Sequence, residues 1–462
     1  MNIEKLNNVY FIGIGGIGMS ALARYFKAIG KQVSGYDKTV TPLTDELVRE
    51  GIDVHFTDAV SSIPEGIRND VASGETTLVV YTPAVPKDHQ ELNFLRSAGF
   101  RIMKRSEVLG LITQNTRTIA VAGTHGKTTT SSMVAHLLRF AGIDCSAFLG
   151  GITKNYNTNL LIGSGKEKSV VVVEADEYDR SFLTLFPDIA VITSMDADHL
   201  DIYGDKNYME ESYRLFAEQL KPGGKLIYKK GLPLGHAPEQ HVYSDYSAGE
   251  PADFSAGDIR IENHRYHFTW KDKNGSIPDL TSEMPGMHNV ENSVAAIAVA
   301  KQLGITDEKI RQGLAAYTGV KRRFDFQVRN DKVIYIDDYA HHPEELRACI
   351  ASARELYPGK RIMGVFQPHL FSRTRDFVDG FAASLSMLDD LVLLDIYPAR
   401  EKPIPGVDSK LILEKVTLQK KAIAKMSDFP GVLKDHEFDV LLTLGAGDID
   451  QLVDPIRKYF LQ

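Results

Sequence analysis

The chain is poor in the features that would place it outside a reducing, watery compartment. Two cysteines in 462 residues, Cys145 and Cys349, are too far apart for a metal-ligand spacing and too few for a disulfide framework. No run of about eighteen apolar residues could span a bilayer, and "MNIEKLNNVYFIG" enters an apolar strand without a basic leader or cleavage site. Positive charge is also in short supply. A net charge of −8 argues against a broad nucleic-acid surface, yet leaves room for anionic small molecules met by local cations. These absences predict a cytoplasmic protein with no membrane insertion and no nucleic-acid partner.

What is present alternates strand and helix. "NNVYFIGIGGIGMSALARYFKAIGKQVSGYD" reads as a β-α-β unit, followed by the strand "TLVVYTPAVP" and an exit through "FRIMKRSEVLG". "TRTIAVAGTHGKTTTSSMVAHLLRFAG" opens a second block, with "KSVVVVEADEYD" and "PDIAVITSMDADHLD" as strands ending in acidic residues. Such continuous apolar runs fit a parallel sheet covered on both faces. The stretch 222–285 turns polar and β-like before the alanine-rich helix of "MPGMHNVENSVAAIAVAKQLG". After "GVKRRFDF" a third block adds "DKVIYIDDYAHHPEELRACIASAREL", "KRIMGVFQPH", "DLVLLDIYP" and "FDVLLTLGAG". Chain length and the recurring pattern predict three α/β domains in series, without a sequence repeat.

"VAGTHGKTTT" resembles a phosphate loop whose first glycine place holds Val121. Gly123, Gly126, Lys127 and Thr128 follow a strand and open a helix. There, backbone N–H groups cradle phosphates, Lys127 reaches the β/γ oxygens and the Thr128 hydroxyl helps hold Mg²⁺. We expect Gly123 to provide the close approach that the missing glycine would have made. Glu174 and His199 end neighbouring strands, where Glu174 is the natural hard ligand for Mg²⁺. Taken singly, either residue is more simply a solvated polar group.

"GIGGIG" (13–18) with Asp37 beyond it matches a dinucleotide fingerprint, but such a turn serves other diphosphates equally. "DDYAHHPEE" sets carboxylates, a tyrosine and two histidines at a strand-to-helix turn, with Pro343 suited to the first helical position. Adjacent histidines rarely face one ion, so zinc is not expected. "QPHLFSRTRD" offers Gln367, His369, Arg373 and Arg375, and an arginine there could grip a carboxylate bidentately. "VKRRF" is a solvated basic run or a completion of the phosphate site.

These motifs, in this order and over essentially the whole chain, resemble the Mur ligases. "GTHGKTTT" is similar to that family's own phosphate loop, which dispenses with the first glycine. "GIGGIGMSALA", "EADEYDRSFL", "DHLDIY", "GMHNVENS", "GVKRRFD", "DDYAHHP" and "FQPH" together resemble the branch that adds L-alanine to UDP-N-acetylmuramate. The resemblance implies an α/β, three-domain Mur ligase architecture. A Rossmann-like UDP-sugar domain would span 1–112, a P-loop ATPase domain 113–320 and a Rossmann-like amino-acid domain 321–462. It implies ATP, UDP-N-acetylmuramate and L-alanine as substrates, Mg²⁺ (or Mn²⁺) as cofactor, and a monomer or weak homodimer.

By motif, the resemblance assigns ATP to Gly123, Thr124, His125, Gly126, Lys127, Thr128, Thr129, His288, Asn289, one of Arg322 and Arg323, and Asp338. The UDP-sugar falls to Gly15, Gly16, Ile17, Gly18, Met19 and Asp37, and the amino acid to Tyr339, His341 and Arg373. Metal falls to Thr128, Glu174 and His199, and the catalytic set would be Lys127, Glu174, His199, His341 and Arg373. Leu370 stands where the family often has arginine. The run 207–220 has no lysine, so the carbamylated lysine of sibling ligases is not expected. Rival readings are a recycling ligase joining a murein peptide to the same nucleotide, a nicotinamide dehydrogenase and a non-catalytic nucleotide switch.

Overall fold

The structure, a computed structural model, describes residues 3–70, 75–82, 85–164, 169–196, 206–235, 238–399 and 401–462. It divides into two compact units, residues 1–152, 157–246 and 295–310 in one, and 153–156, 247–294 and 311–462 in the other.

The first unit begins with a five-stranded parallel sheet in the order Asp53–His55, Gln32–Tyr36, Asn8–Ile12, Thr77–Tyr81, Arg101–Lys104. Alternation along the central strand divides its core. Val9 and Phe11 pack with Met19, Leu22 and Phe26 of the helix Ile17–Ala28. Tyr10 and Ile12 face the opposite way, onto Leu92 and Leu95 of the helix Gln90–Ser97. The second sheet of this unit orders its strands Val242–Ala248, Lys225–Lys229, Ile189–Ile192, Arg117–Ala122, Val170–Glu174, Cys145–Thr153 and Thr158–Leu161. Its central strands are buried on both faces, as their unbroken apolar runs required: Val170 to Val173 are at most 2 % exposed.

The second unit holds an antiparallel meander, Phe254–Glu262, Arg265–Asp272 and Gly275–Ser282. It also holds a six-stranded sheet in the order Asp325–Arg329, Ile334–Asp338, Val440–Leu444, Ile362–Phe366, Asp390–Leu393, Lys421–Ile423. Only the first pair of that sheet is antiparallel. Pro343 takes the first position of the helix Pro343–Leu356, where its missing N–H costs nothing, and His342 caps it. No helix among the described residues is long and apolar enough to cross a membrane.

Candidate active site

Val121 lies within the strand Arg117–Ala122, fully buried and paired with Glu174 on one side and Val191 on the other. A glycine there would weaken the sheet, and the loop starts only at Gly123. That glycine also packs closely on protein. Its φ is +135°, and a Cβ would sit 2.1 Å from the Thr193 Oγ1. Thr193 to Asp196 clamp the loop: His125 N–H donates to Ser194 Oγ at 2.7 Å, and Asp196 N–H donates to Thr124 Oγ1 at 2.8 Å. Gly126 (φ 82°) turns the chain into the helix Lys127–Ala141, and Thr129 is buried one turn in.

The Lys127 ammonium donates to the Gly123 carbonyl at 2.6 Å and lies 2.7 Å from Glu177 Oε2. Burial alone would lower its pKa, but the carboxylates of Glu177, Glu174 and Asp176 outweigh it and raise the value. Glu177, only 2 % exposed, is pushed up to about 7 by the same burial, against the pull of Lys127. The "EADEYD" stretch gives Glu177 no role by sequence alone. Its offset from Glu174 is the one signal, but no local pattern shows which acid meets the loop lysine. Glu174 sits where expected. Its Oε1 accepts from the Thr128 hydroxyl at 2.9 Å and its Oε2 from Gly150 N–H at 2.7 Å. A hydroxyl beside a carboxylate is the hard oxygen donor set that Mg²⁺ takes, so these residues fit the ion. His199 lies outside the described residues.

At the other glycine turn, Gly13 has φ +88°, and Gly15 has no room for a Cβ beside Asp37 and Thr44. The Asp37 carboxylate accepts from Gly15 N–H at 2.7 Å. Gly16 caps the helix Ile17–Ala28; Ile17 is exposed, while the Met19 side chain is in the core and can offer a ligand only its backbone. A cleft runs from this helix start, lined by Gly18, Arg105, Ser106 and Ser181, to Glu174 and Asp176. The cleft thus links the start of this helix to Glu174, the acid that holds the Thr128 hydroxyl.

The second unit gathers the remaining candidates. Phe324 N–H donates to Asp338 Oδ2 at 2.6 Å and Ala340 N–H to Oδ1 at 2.8 Å. Burial pushes this carboxyl up to about 6, against the pull of Arg323. Both oxygens are thus engaged by backbone, and Asp338 shapes the turn that carries Tyr339. The guanidinium groups of Arg322 and Arg323 stack 5.1 and 5.3 Å from the Tyr339 ring. Arg322 is fixed further by the Gly445 carbonyl at 2.6 Å and Asp337 at 3.3 Å. His341 lies 3.0 Å from Glu345, with its ring edge-on to His369. His369 stacks on Tyr397, and burial with the nearby charges of His341 and Arg373 lowers it to about 4. Arg373 is buried in the short helix Phe371–Asp376. Leu370 caps that helix at φ 71°, a strained conformation for leucine, held by its N–H to the Tyr397 carbonyl at 2.9 Å.

His288 is exposed at the start of the helix Met287–Gln302. Asn289 is buried and spends its amide locally, donating to the Pro285 carbonyl at 2.6 Å and accepting from Asn292 at 3.1 Å. The helix Lys206–Glu218 carries a lysine only as its first residue. Among the described residues, the one cluster of three potential metal ligands, Asp58, His89 and Glu91, lies beside the first sheet. Its carboxylates already accept from Gln90 N–H, Glu91 N–H, Ala59 N–H and the Tyr10 hydroxyl.

A lysine and threonine at a glycine turn, with acids at and just beyond the end of the neighbouring strand of a parallel sheet, define a nucleoside-triphosphate-using P-loop enzyme. The chain belongs to the Mur ligase family: it matches the Mur ligase family catalytic domain over residues 8–117, the Mur ligase middle domain over 121–300 and the Mur ligase glutamate ligase domain over 322–447. A UDP-N-acetylmuramate–L-alanine ligase of Parabacteroides distasonis is 51% identical over 459 residues, 99% of this chain and 98% of that one. The crystal structure of a UDP-N-acetylmuramate–alanine ligase from Thermotoga maritima superimposes with a TM-score of 0.78 at 26% identity, covering 98% of this chain and 99% of the other. A murein peptide ligase from Psychrobacter arcticus shares the fold, with a TM-score of 0.65 at 21% identity over 96% and 97% of the two chains.

Proposed function

We infer that this chain joins L-alanine to UDP-N-acetylmuramate with cleavage of ATP to ADP and phosphate, a step of peptidoglycan precursor synthesis. The full-length likeness to the Parabacteroides enzyme carries this reading, and the cleft gives it a physical basis. A nucleotide sugar held at Gly15 to Met19 can extend along that groove to the acids beside the phosphate loop.

A carboxylate is a poor electrophile. Transfer of the ATP γ-phosphoryl group to the lactyl carboxylate makes an acyl phosphate, whose carbonyl carbon the alanine amine attacks. The tetrahedral intermediate expels phosphate, the C–N bond is made, and the amine gives up its proton. Lys127 exchanges Glu177 for the β/γ oxygens and neutralises charge as the phosphoryl group moves. Thr128, Glu174 and His199 would hold Mg²⁺, which supplies Lewis-acid charge neutralisation. His288, Asn289 and one of Arg322 and Arg323 would complete the nucleotide site. Asp338 positions the turn, and Tyr339, His341 and Arg373 receive the amino acid. The corresponding division of labour is 1–112, 113–320 and 321–462, in a cytoplasmic monomer or weak homodimer.

Phosphate release from ATP, measured with UDP-N-acetylmuramate and each amino acid in turn, tests the reading. L-Alanine should give the highest kcat/KM. Turnover with a murein peptide but not with alanine would replace it by the recycling reaction.

A further inference from the structure

Gly18 is the second residue of a regular helix, and its backbone has no need of glycine. Space explains it. A Cβ at Gly18 would stand 2.7 Å from Nη1, 3.0 Å from Cδ and 3.2 Å from Cζ of Arg105. The Arg105 side chain thus lies close against the first turn of Ile17–Ala28, although Arg105 belongs to another helix, Arg105–Asn115. It is half-buried in the cleft wall. Among the described residues it makes no ion pair and no hydrogen bond, although arginines in such settings are normally paired.

The glycine turn itself is short of free donors. Gly13 and Ile14 N–H donate to the Tyr36 carbonyl at 2.8 and 3.0 Å, and Gly15 N–H is taken by Asp37. What remains are the first N–H groups of the helix, which has no acidic residue in its first turn and no side-chain cap. Those dipoles favour an anion but do not neutralise two full negative charges. The planar fork of an arginine pressed against the same turn supplies the missing cation, in the geometry that phosphates accept bidentately.

We propose that Arg105 is a binding residue for the diphosphate of the nucleotide sugar, and that Gly18 is glycine in order to seat it. This rests on the function inferred above. It divides the diphosphate site between two helices that meet across the cleft, and makes the second a determinant of nucleotide-sugar affinity.

Calorimetric titration of the full chain with uridine, UDP and UDP-N-acetylmuramate tests it, with thermal melts as a control for folding. Arg105→Gln should weaken UDP and UDP-N-acetylmuramate by the same factor, on the order of 10- to 100-fold, and leave uridine and ATP binding unchanged. Arg105→Lys should recover part of the loss. Gly18→Ala, which unseats the guanidinium without removing its charge, should reproduce most of it at a similar Tm. In steady state the loss should appear in the KM for the nucleotide sugar, with kcat little altered. Equal UDP affinity in parent and Arg105→Gln would overturn the assignment while leaving the function intact. Loss confined to UDP-N-acetylmuramate would also overturn it, placing the lactyl carboxylate at Arg105. A parent chain that binds no UDP-sugar would overturn the proposed function itself.

Discussion

The two glycine turns of the first unit are built alike and differ in where their cation comes from. Each follows a parallel strand and opens a long helix, and one cleft runs from the first to Glu174 beside the second. At residues 123–128 the cation is on the turn's own helix, and the neighbouring strand and the segment after it bring acids to it: Thr128 meets Glu174, and Lys127 meets Glu177. At residues 13–18 the acid, Asp37, also comes from just beyond the end of a neighbouring strand, Gln32–Tyr36, and holds the turn's Gly15 N–H, whereas the cation, Arg105, comes from a separate helix. The first arrangement suits a triphosphate that must react and a metal that must accompany it. The second suits a diphosphate that must only be held. A glycine pattern therefore specifies a helix N-terminus, and the charges brought to it decide the chemistry.

The largest expected effect breaks this pairing at the reactive turn. Lys127→Ala should lower kcat by on the order of 10³-fold, while UDP-sugar binding at the other turn stays near the parent value. Near-normal ligation would remove the phosphate-loop assignment.

A second contrast is where each region keeps its buried acid. Glu177 is paired with Lys127, whereas Glu91 is fully buried against the Tyr10 hydroxyl with His55 at 3.5 Å. Burial pushes Glu91 from 4.5 to about 7. Between those pH values the folded chain keeps a proton that the unfolded chain has lost. The contribution is therefore complete below pH 4.5 and falls by about 3 kcal/mol as pH rises to 7. Glu91→Gln should flatten that part of the stability–pH curve in chemical denaturation. It should leave UDP-sugar binding alone, because Glu91 is not among the residues lining the cleft.

The glycines sharpen the comparison next. Gly123→Ala meets both a positive φ and Thr193, and should cost about 1–3 kcal/mol. Gly16→Ala has its nearest neighbour at 3.7 Å and should stay within about 0.5 kcal/mol. Equal losses in denaturant melts would show that the turns are constrained alike. Smallest of the four, Glu174→Gln should raise the Mg²⁺ concentration for half-maximal rate by on the order of tenfold. An unchanged curve would leave Glu174 as a clamp on Gly150 N–H and the Thr128 hydroxyl.

The central strands were legible because burial on both faces writes a continuous apolar run, as in "VVVVE" and "FDVLLTLGAG". The edge strands were not. Asp53–His55 and Lys421–Ile423 are three residues each, and Asp325–Arg329 is hidden behind the basic run that precedes it. Their strand state comes from a neighbour's free edge more than from their own pattern. At the site, Lys127, Thr128 and Glu174 stood out because strand-end and helix-start positions are fixed by local sequence. Glu177, Thr193 and Ser194 did not, since only the sheet order brings them to the loop.

By itself, then, the sequence determined the strand–turn–helix units, their order and the family they resemble, because those follow from periodicity, glycine spacing and motif over short windows. The partnerships were decided in three dimensions. Val121 can be valine because the strand continues through it, and Gly18 must be glycine because Arg105, far along the chain, occupies its Cβ space. Asp338 and Asn289 are buried with their polar atoms on nearby backbone and side-chain groups, a use that residue type alone does not reveal. Contacts between distant segments exist only once the sheets have formed, and a buried charge or amide takes whichever partner that packing supplies.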